Sequence, residues 1–332
     1  MNAPLAWFAG TCATGLVDVT ADPAALDSAG WWAVVLTFEG ELTCARFADV
    51  RRAPLPCRGW RGPDRSAWSS SLDEAGYVAA CEDVRARIAA GEVYQVNVCR
   101  VLSAPLPADA DLTGLARVLA GGNPAPYAGL VRVPGADVVS ASPELFLSRR
   151  GAVVESRPIK GTGRVAADLG EKDQAENVMI VDLVRNDLGA VCETGSVTVP
   201  ALLAVEEHPG LVHLVSTVRG RLRRDAGWPE LLAATFPPGS VTGAPKSSAL
   251  RAIAELEPVP RGPYCGAVGW VDADRRTAAL AVGIRTFWPA GDRLCFGTGA
   301  GITWGSEPRA EWAETELKAA HLLGLASGRE AG

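Results

Sequence analysis

The sequence predicts an α+β fold built on mainly antiparallel sheets. Two observations carry this. Apolar runs of strand length outnumber helical stretches, and successive runs follow one another without an intervening helix, as at 127–133, 138–142 and 145–148. The regular strand–helix alternation of a doubly wound parallel sheet is missing. The 332 residues suffice for one large core or two subdomains sharing one. Composition divides the chain into a short N-terminal subdomain over 1–72 and a larger domain over 73–332.

Within 1–72 the chain reads as short strands and loops. Residues 31–38 form a strand closed by Gly40, and the Arg-, Pro-, Gly- and Ser-rich stretch 51–71 reads as a loop or joint. A helix follows with Ser71 as its N-cap and Asp73 and Glu74 in its first turn. Val78, Cys81, Val84 and Ile88 supply its apolar positions, and Gly91 ends it. Residues 93–99 alternate as a strand, 112–120 form a helix, and Asn123-Pro124-Ala125-Pro126 breaks the chain before three strands. Residues 153–156 lead into a Lys-Gly stretch. Residues 173–188 are helical, with Glu176, Ile180, Leu183 and Asp187 near one face. Strands follow at 196–199 and 213–218, a helix at 228–235, a loop at 237–246 and a helix at 247–256. A hairpin turning at Asp272-Ala273-Asp274 joins strands 266–271 and 277–287, a glycine loop spans 297–301, and a helix over 308–325 closes the chain.

Hydrophobic residues make up 48% and charged residues 21%, with a net charge of −6. No basic run stands out, which argues against nucleic acid or a membrane surface as the main partner. The eight cysteines form no CxxC pair, so a zinc or redox motif is not expected. The start carries no signal-peptide pattern and no apolar run is long enough to span a membrane, so a reducing cytoplasm is the expectation.

Two glycine-rich stretches invite a nucleotide reading and fail it. Pro245, not glycine, precedes Lys246, and Gly297–Gly301 lacks the βαβ unit of a dinucleotide site. Gly239–Gly243 precedes a helix; it is either a carboxylate-binding turn or a plain helix entry. On the last helix Glu311, Glu314, Lys318 and His321 share one face, which by itself reads as a solvated charged face. With Glu176 on another helix, two glutamates can share one Mg²⁺, a hard cation suited to carboxylates, though spacing alone does not establish it. His213 opens an apolar strand. Glu144 lies at the margin of one, where burial would raise its pKa and make it an acid. Arg285, inside an apolar strand, calls for an anionic partner.

The remaining stretch is Ser156-Arg157-Pro158-Ile159-Lys160-Gly161-Thr162-Gly163. Proline restricts the approach and glycine frees the exit, so the lysine amine is held at one place or sits in a solvated turn.

Together, Tyr94-Gln95-Val96-Asn97, Ser142–Phe146, Pro158–Thr162, Glu176–Asp187, His213–Ser216, Gly239–Lys246, Gly283–Thr286, Gly299–Ile302 and Glu314–Lys318 resemble the chorismate-utilising enzyme family. The likeness runs in family order from about residue 75 to the C-terminus. It implies that family's fold, two packed, mainly antiparallel sheets with helices outside. Isochorismate and salicylate synthases carry a water-activating lysine where this chain has Gln95; anthranilate synthases carry alanine where it has Lys160. The pair Gln95 and Lys160 resembles the members that convert chorismate and ammonia to 4-amino-4-deoxychorismate, the step towards 4-aminobenzoate and folate. Anthranilate-type or secondary-metabolism amination, and a non-catalytic chorismate-binding subunit, are the alternatives.

The resemblance implies the following roles. Lys160 attacks C2 of chorismate as a neutral amine, which requires a lowered pKa, and Arg157 or Mg²⁺ would lower it. Glu144 protonates the departing C4 hydroxyl. Glu176 and Glu314 hold Mg²⁺. Arg285 and Lys318 bind a substrate carboxylate beside backbone N–H groups of Gly299, Ala300 and Gly301. Thr242, Gly243, Gly161 and Thr162 line the pocket, and His213 lies near the ring as a further catalytic residue. A glutaminase partner supplies ammonia. Asn123–Tyr127 resembles half of the family's tryptophan site, and the short N-terminal region leaves the other half in question.

Overall fold

The structure, a computed structural model, describes residues 3–56, 58–163, 165–208 and 211–328, with the side chains of Thr162, Glu171, His208 and Leu211 outside the described set. The helices are α1 (Glu74–Ala89), α2 (Leu112–Gly122), α3 (Glu171–Gly189), α4 (Trp228–Thr235), α5 (Lys246–Leu256) and α6 (Pro308–Ala326). The first nine strands are β1 (Leu5–Phe8), β2 (Thr11–Thr20), β3 (Trp31–Leu36), β4 (Leu42–Arg52), β5 (Ser69–Ser70), β6 (Gln95–Pro105), β7 (Tyr127–Val133), β8 (Ala136–Ser142) and β9 (Leu145–Arg150). The others are β10 (Val153–Arg157), β11 (Ile159–Gly163), β12 (Thr198–His208), β13 (Leu211–Arg221), β14 (Gly243–Ala244), β15 (Ala267–Asp272), β16 (Thr277–Val282), β17 (Thr286–Ala290) and β18 (Arg293–Ile302).

These strands form one hydrogen-bonded, antiparallel network, as an α+β fold without βαβ units requires. Its order is β6–β18–β17–β8–β7–β1–β2–β4–β3–β15–β16–β9–β10–β13–β12. Strands β5 and β14 sit on β6, and β11 sits on β13. The ribbon folds back so that β7 lies close to β3, β15 and β16. A core containing Phe8, Trp31, Val131, Phe146, Val268 and Leu280 fills the space between its halves. Helices cover the outside. Leu115, Leu119, Leu322 and Leu323 of α2 and α6 pack with Phe287 and Phe296, while Tyr77, Val84, Ala249 and Ile253 of α1 and α5 pack with Val96 and Ile302. Residues before 73 contribute β1–β5, which pair with β7, β15 and β6 of the following chain.

Several elements depart from the sequence reading, for identifiable reasons. Asp73, not Ser71, caps α1, accepting from the Gly76 N–H at 2.8 Å. Strands 196–199 and 213–218 grow into the long hairpin β12–β13, whose polar and proline-bearing stretch hides the strand pattern. Gly297–Gly301 is not a loop but lies inside β18. Those glycines serve packing: a side chain at Gly297 would run into the Tyr264 ring, and one at Gly299 would lie 2.6 Å from the Val98 carbonyl. Arg285 does not sit inside a strand; it sits at the break between β16 and β17 with φ 52°. Lys160 is on strand β11 rather than in a turn. Gly161, at φ 78°, absorbs the bulge that shifts register between Lys160 and Thr162.

Candidate active site

The site assembles where β11 runs beside β13 and helix α3 lies across both. Lys160 opposes Leu214 in this ladder. Asn177 of α3 fixes the crossing: it is fully buried, donates to the Leu214 carbonyl at 3.2 Å and accepts from the Ser216 hydroxyl. Glu176, the residue before Asn177, is then aimed at the lysine. Lys160 Nζ lies 3.6 Å from Glu176 Oε2, with the two side chains only 12% and 13% exposed. Burial raises the Glu176 pKa, opposed by the charges of Lys160 and Lys172.

Glu144 occupies the link between β8 and β9 and is 4% exposed. The Ser240 hydroxyl and the backbone N–H of Ile159, the residue before Lys160, act on its carboxyl and favour the charged form. Burial pushes its pKa up to about 7, against the lowering pull of Ser240 and Lys160. A cavity of about 20 Å³ adjoins it, lined in part by Ser156, Asp187 and Ser240.

Gln95 and Gly301 close the other side. Gln95 is 1% exposed, and its Oε1 has no hydrogen-bond partner among the described residues. A Cβ on Gly301 would collide with Gln95 Nε2 and stand 3.3 Å from Lys160 Nζ. Amide and amine therefore press on one bare stretch of backbone. Gly299, Ala300 and Gly301 run along β18 opposite Cys99, Val98 and Asn97.

Helix α6 brings acidic groups to the same region. Glu311 is buried and takes an ion pair from Lys172 Nζ at 3.0 Å; the same Nζ stands 4.0 Å from Glu176 Oε1. Glu314 pairs with Lys318 at 2.6 Å, and Lys318 also donates to the Gly299 carbonyl at 3.1 Å. Burial would raise the Glu314 pKa, but Lys318, Lys172 and Lys160 together bring it below the usual carboxylate value. Among the described residues no three metal-ligating side chains converge as they stand. Two carboxylates from different helices, Glu176 and Glu311, nonetheless stand within 4.0 Å of one ammonium, and carboxylate oxygens are the donors a hard divalent cation takes.

The remaining predicted residues are placed as follows. Arg285 is largely buried, which lowers its pKa, and no anion partners it among the described residues. His213 is 2% exposed on β13, opposite Thr162 and Glu206. Thr242 is fully buried, and its hydroxyl donates to the Pro238 carbonyl at 3.0 Å. Gly243 pairs with Val96, and Gly161 packs against Asp173 of α3. The side chain of Thr162 lies outside the described set. Arg157 forms an ion pair with Glu206. His321 leaves the group and meets the Gly122 carbonyl at 2.8 Å. Sequence reasoning missed Ser240 and Lys172. It noted Glu311 on the face shared with Glu314 but gave it no role.

The chain resembles known proteins in sequence and in fold. The model of the chorismate binding enzyme family matches residues 44–324, and the chain belongs to that family. It is 40% identical over 296 residues to anthranilate synthase component 1 of Streptomyces coelicolor, covering 82% of this chain and 57% of that protein. It is 44% identical over 277 residues to aminodeoxychorismate synthase of Streptomyces pristinaespiralis, covering 76% of this chain and 38% of that protein. The chain thus spans about half the length, or less, of these relatives. Among solved structures, anthranilate synthase component I from Streptococcus pneumoniae superposes with a TM-score of 0.75 at 27% identity, over 97% of this chain and 82% of that one.

Proposed function

We propose that this chain converts chorismate and ammonia to 4-amino-4-deoxychorismate. The observation that carries the reading is the buried Lys160 amine set between the Glu144 acid and the Gln95 amide. In this scheme the amine adds at C2, the ring double bonds shift, and the C4 hydroxyl leaves as water with the proton of Glu144. Ammonia then adds at C4, the double bonds return, and the C2–N bond to Lys160 breaks. The proton lost by ammonia returns to Glu144. A pKa of about 7 suits Glu144 to both directions of transfer.

Arg285, without an internal anion, and Lys318 are the groups for substrate carboxylates. Glu176 and Glu314 would hold Mg²⁺, with Glu311 beside them; the ion would supply positive charge to a substrate carboxylate. Thr242, with its hydroxyl engaged by the backbone, and Gly243 shape the wall. His213 stands on the strand beside Lys160, near the ring. The family resemblance read from the sequence motifs is what supports a glutaminase partner as the ammonia source, a place in 4-aminobenzoate and folate synthesis, and a cytoplasmic setting. Among the described residues no helix is long and apolar enough to cross a membrane.

A second reading, anthranilate formation, is favoured by the 40% identity to an anthranilate synthase component. Incubation with chorismate, Mg²⁺ and ammonium, followed by mass-resolved chromatography, separates the two. Aminodeoxychorismate without pyruvate is the expected product. Anthranilate with one equivalent of pyruvate would sink the proposal.

A further inference from the structure

The charged groups between α3 and α6 make an uneven set. Glu314 has a partner on its own helix, Lys318, at i,i+4. Glu176 meets Lys160 at 3.6 Å on one side, and on the other one side chain, Lys172, bridges it across the cleft to Glu311, at 4.0 and 3.0 Å. Glu311 is 5% exposed at its side chain and Glu176 13%, whereas Lys172 is 50% exposed. Two nearly buried carboxylates from different helices therefore share an ammonium that reaches in from solvent. Without a positive charge there, the two carboxylates would repel each other at low local dielectric.

We propose that Lys172 is an internal stand-in for the divalent cation, holding the α3 and α6 carboxylates together until the metal displaces its ammonium. The inference rests on the metal reading given above. The ammonium donates a hydrogen bond to Glu311 and attracts Glu176 by charge, but it cannot coordinate either, so the two cations compete for the same oxygens. Lys172 starts in the first turn of α3, and half of its side chain is already in water. It can swing outward without disturbing the core, as a long, flexible side chain does. Metal uptake then carries a built-in competition. The chain gives up some affinity for the ion and in return keeps the two helices together when no ion is bound.

Titration of the full chain with Mn²⁺, read from the EPR signal of the free ion, tests this without an activity assay. Lys172→Gln keeps length and polarity but removes the charge. It should tighten Mn²⁺ binding by roughly 3- to 10-fold, the range expected for loss of a half-exposed competing ion pair. It should also lower the melting temperature measured in EDTA and restore it on adding Mn²⁺. Lys172→Arg, which keeps the competing charge, should bind Mn²⁺ no more tightly than the unaltered protein. Saturable Mn²⁺ uptake with equal or weaker affinity in Lys172→Gln overturns the inference alone, because Lys172 would then be orienting the carboxylates for the ion. No saturable uptake by either protein overturns the metal reading and the inference with it.

Discussion

Two lysines reach helix α3, and they do so differently. Lys246, the first residue of α5, meets Asp187 at 2.7 Å and also donates to the Thr235 carbonyl at 3.2 Å. Lys160 meets Glu176 at 3.6 Å, longer than a hydrogen bond. The two carboxylates sit eleven residues apart on α3, about 16 Å along the axis. Burial is similar, with side chains 19% and 12% exposed in one pair and 12% and 13% in the other. What differs is closure. The Lys246 pair has its hydrogen bonds made, and it fastens the start of α5 to the end of α3. The Lys160 pair is held by charge alone and leaves donor and acceptor capacity facing Gln95, Gly301 and Glu144. A closed pair stabilises; an open one at equal burial is a place prepared for a ligand.

Substitution of each lysine should pull the two functions apart, and this is the largest effect expected. Lys160→Ala should lower turnover with chorismate and ammonium by at least ~10³-fold, about 4 kcal/mol of barrier, by removing the proposed nucleophile. Its urea-unfolding midpoint should move little. Lys246→Ala should do the reverse. It leaves Asp187 charged and buried, and should remove about 2–4 kcal/mol of unfolding free energy. A Lys246→Ala protein as stable as the parent, or a Lys160→Ala protein with undiminished turnover, would erase the distinction.

The same contrast separates what the sequence discloses from what it hides. The antiparallel α+β class was legible because strand-length apolar runs followed one another without helices between. Lys160, Glu144 and Glu176 were legible because their neighbours repeat a family's order of motifs. Lys172 and Ser240 were not. Their partners, Glu311 and Glu144, are 139 and 96 residues away, and a lysine in a helix's first turn or a serine in a glycine loop reads as surface. The glycines of β18 were misread for a related reason. Glycine signals a turn when only neighbours in sequence are considered, while here the Tyr264 ring and the Gln95 amide demand it. Arg285 was expected to need an anion because it read as strand-embedded, whereas it sits at the break between β16 and β17.

Gly301 offers an intermediate test of the open pair. A methyl group added there must push the Gln95 amide aside and crowd Lys160 Nζ, now 3.3 Å from where Cβ would stand. Gly301→Ala should lower kcat/KM by roughly 10- to 100-fold, the scale of an ångström-sized misplacement of reacting groups. Gly305→Ala is the control, since nothing lies within 4 Å of its added methyl. Equal effects from the two alanines would mean that the tight packing at Gly301 has no bearing on the chemistry.

The smallest effect concerns Glu144 and is read in stability rather than rate. Burial raises its pKa from the ordinary 4.5 to about 7 in the folded chain. A raised carboxyl pKa means the folded state holds the proton more tightly than the unfolded state does. The contribution is therefore complete below about pH 4.5 and disappears as pH rises through about 7. Glutamine at this position stays neutral throughout. Glu144→Gln should match the parent near pH 5 and gain on it towards pH 8, by up to about 1–3 kcal/mol in unfolding free energy. Parallel stability curves between pH 5 and 8 would show that Glu144 ionises as freely in the folded protein as out of it. The buried acid assigned to the C4 hydroxyl would then have to be another group.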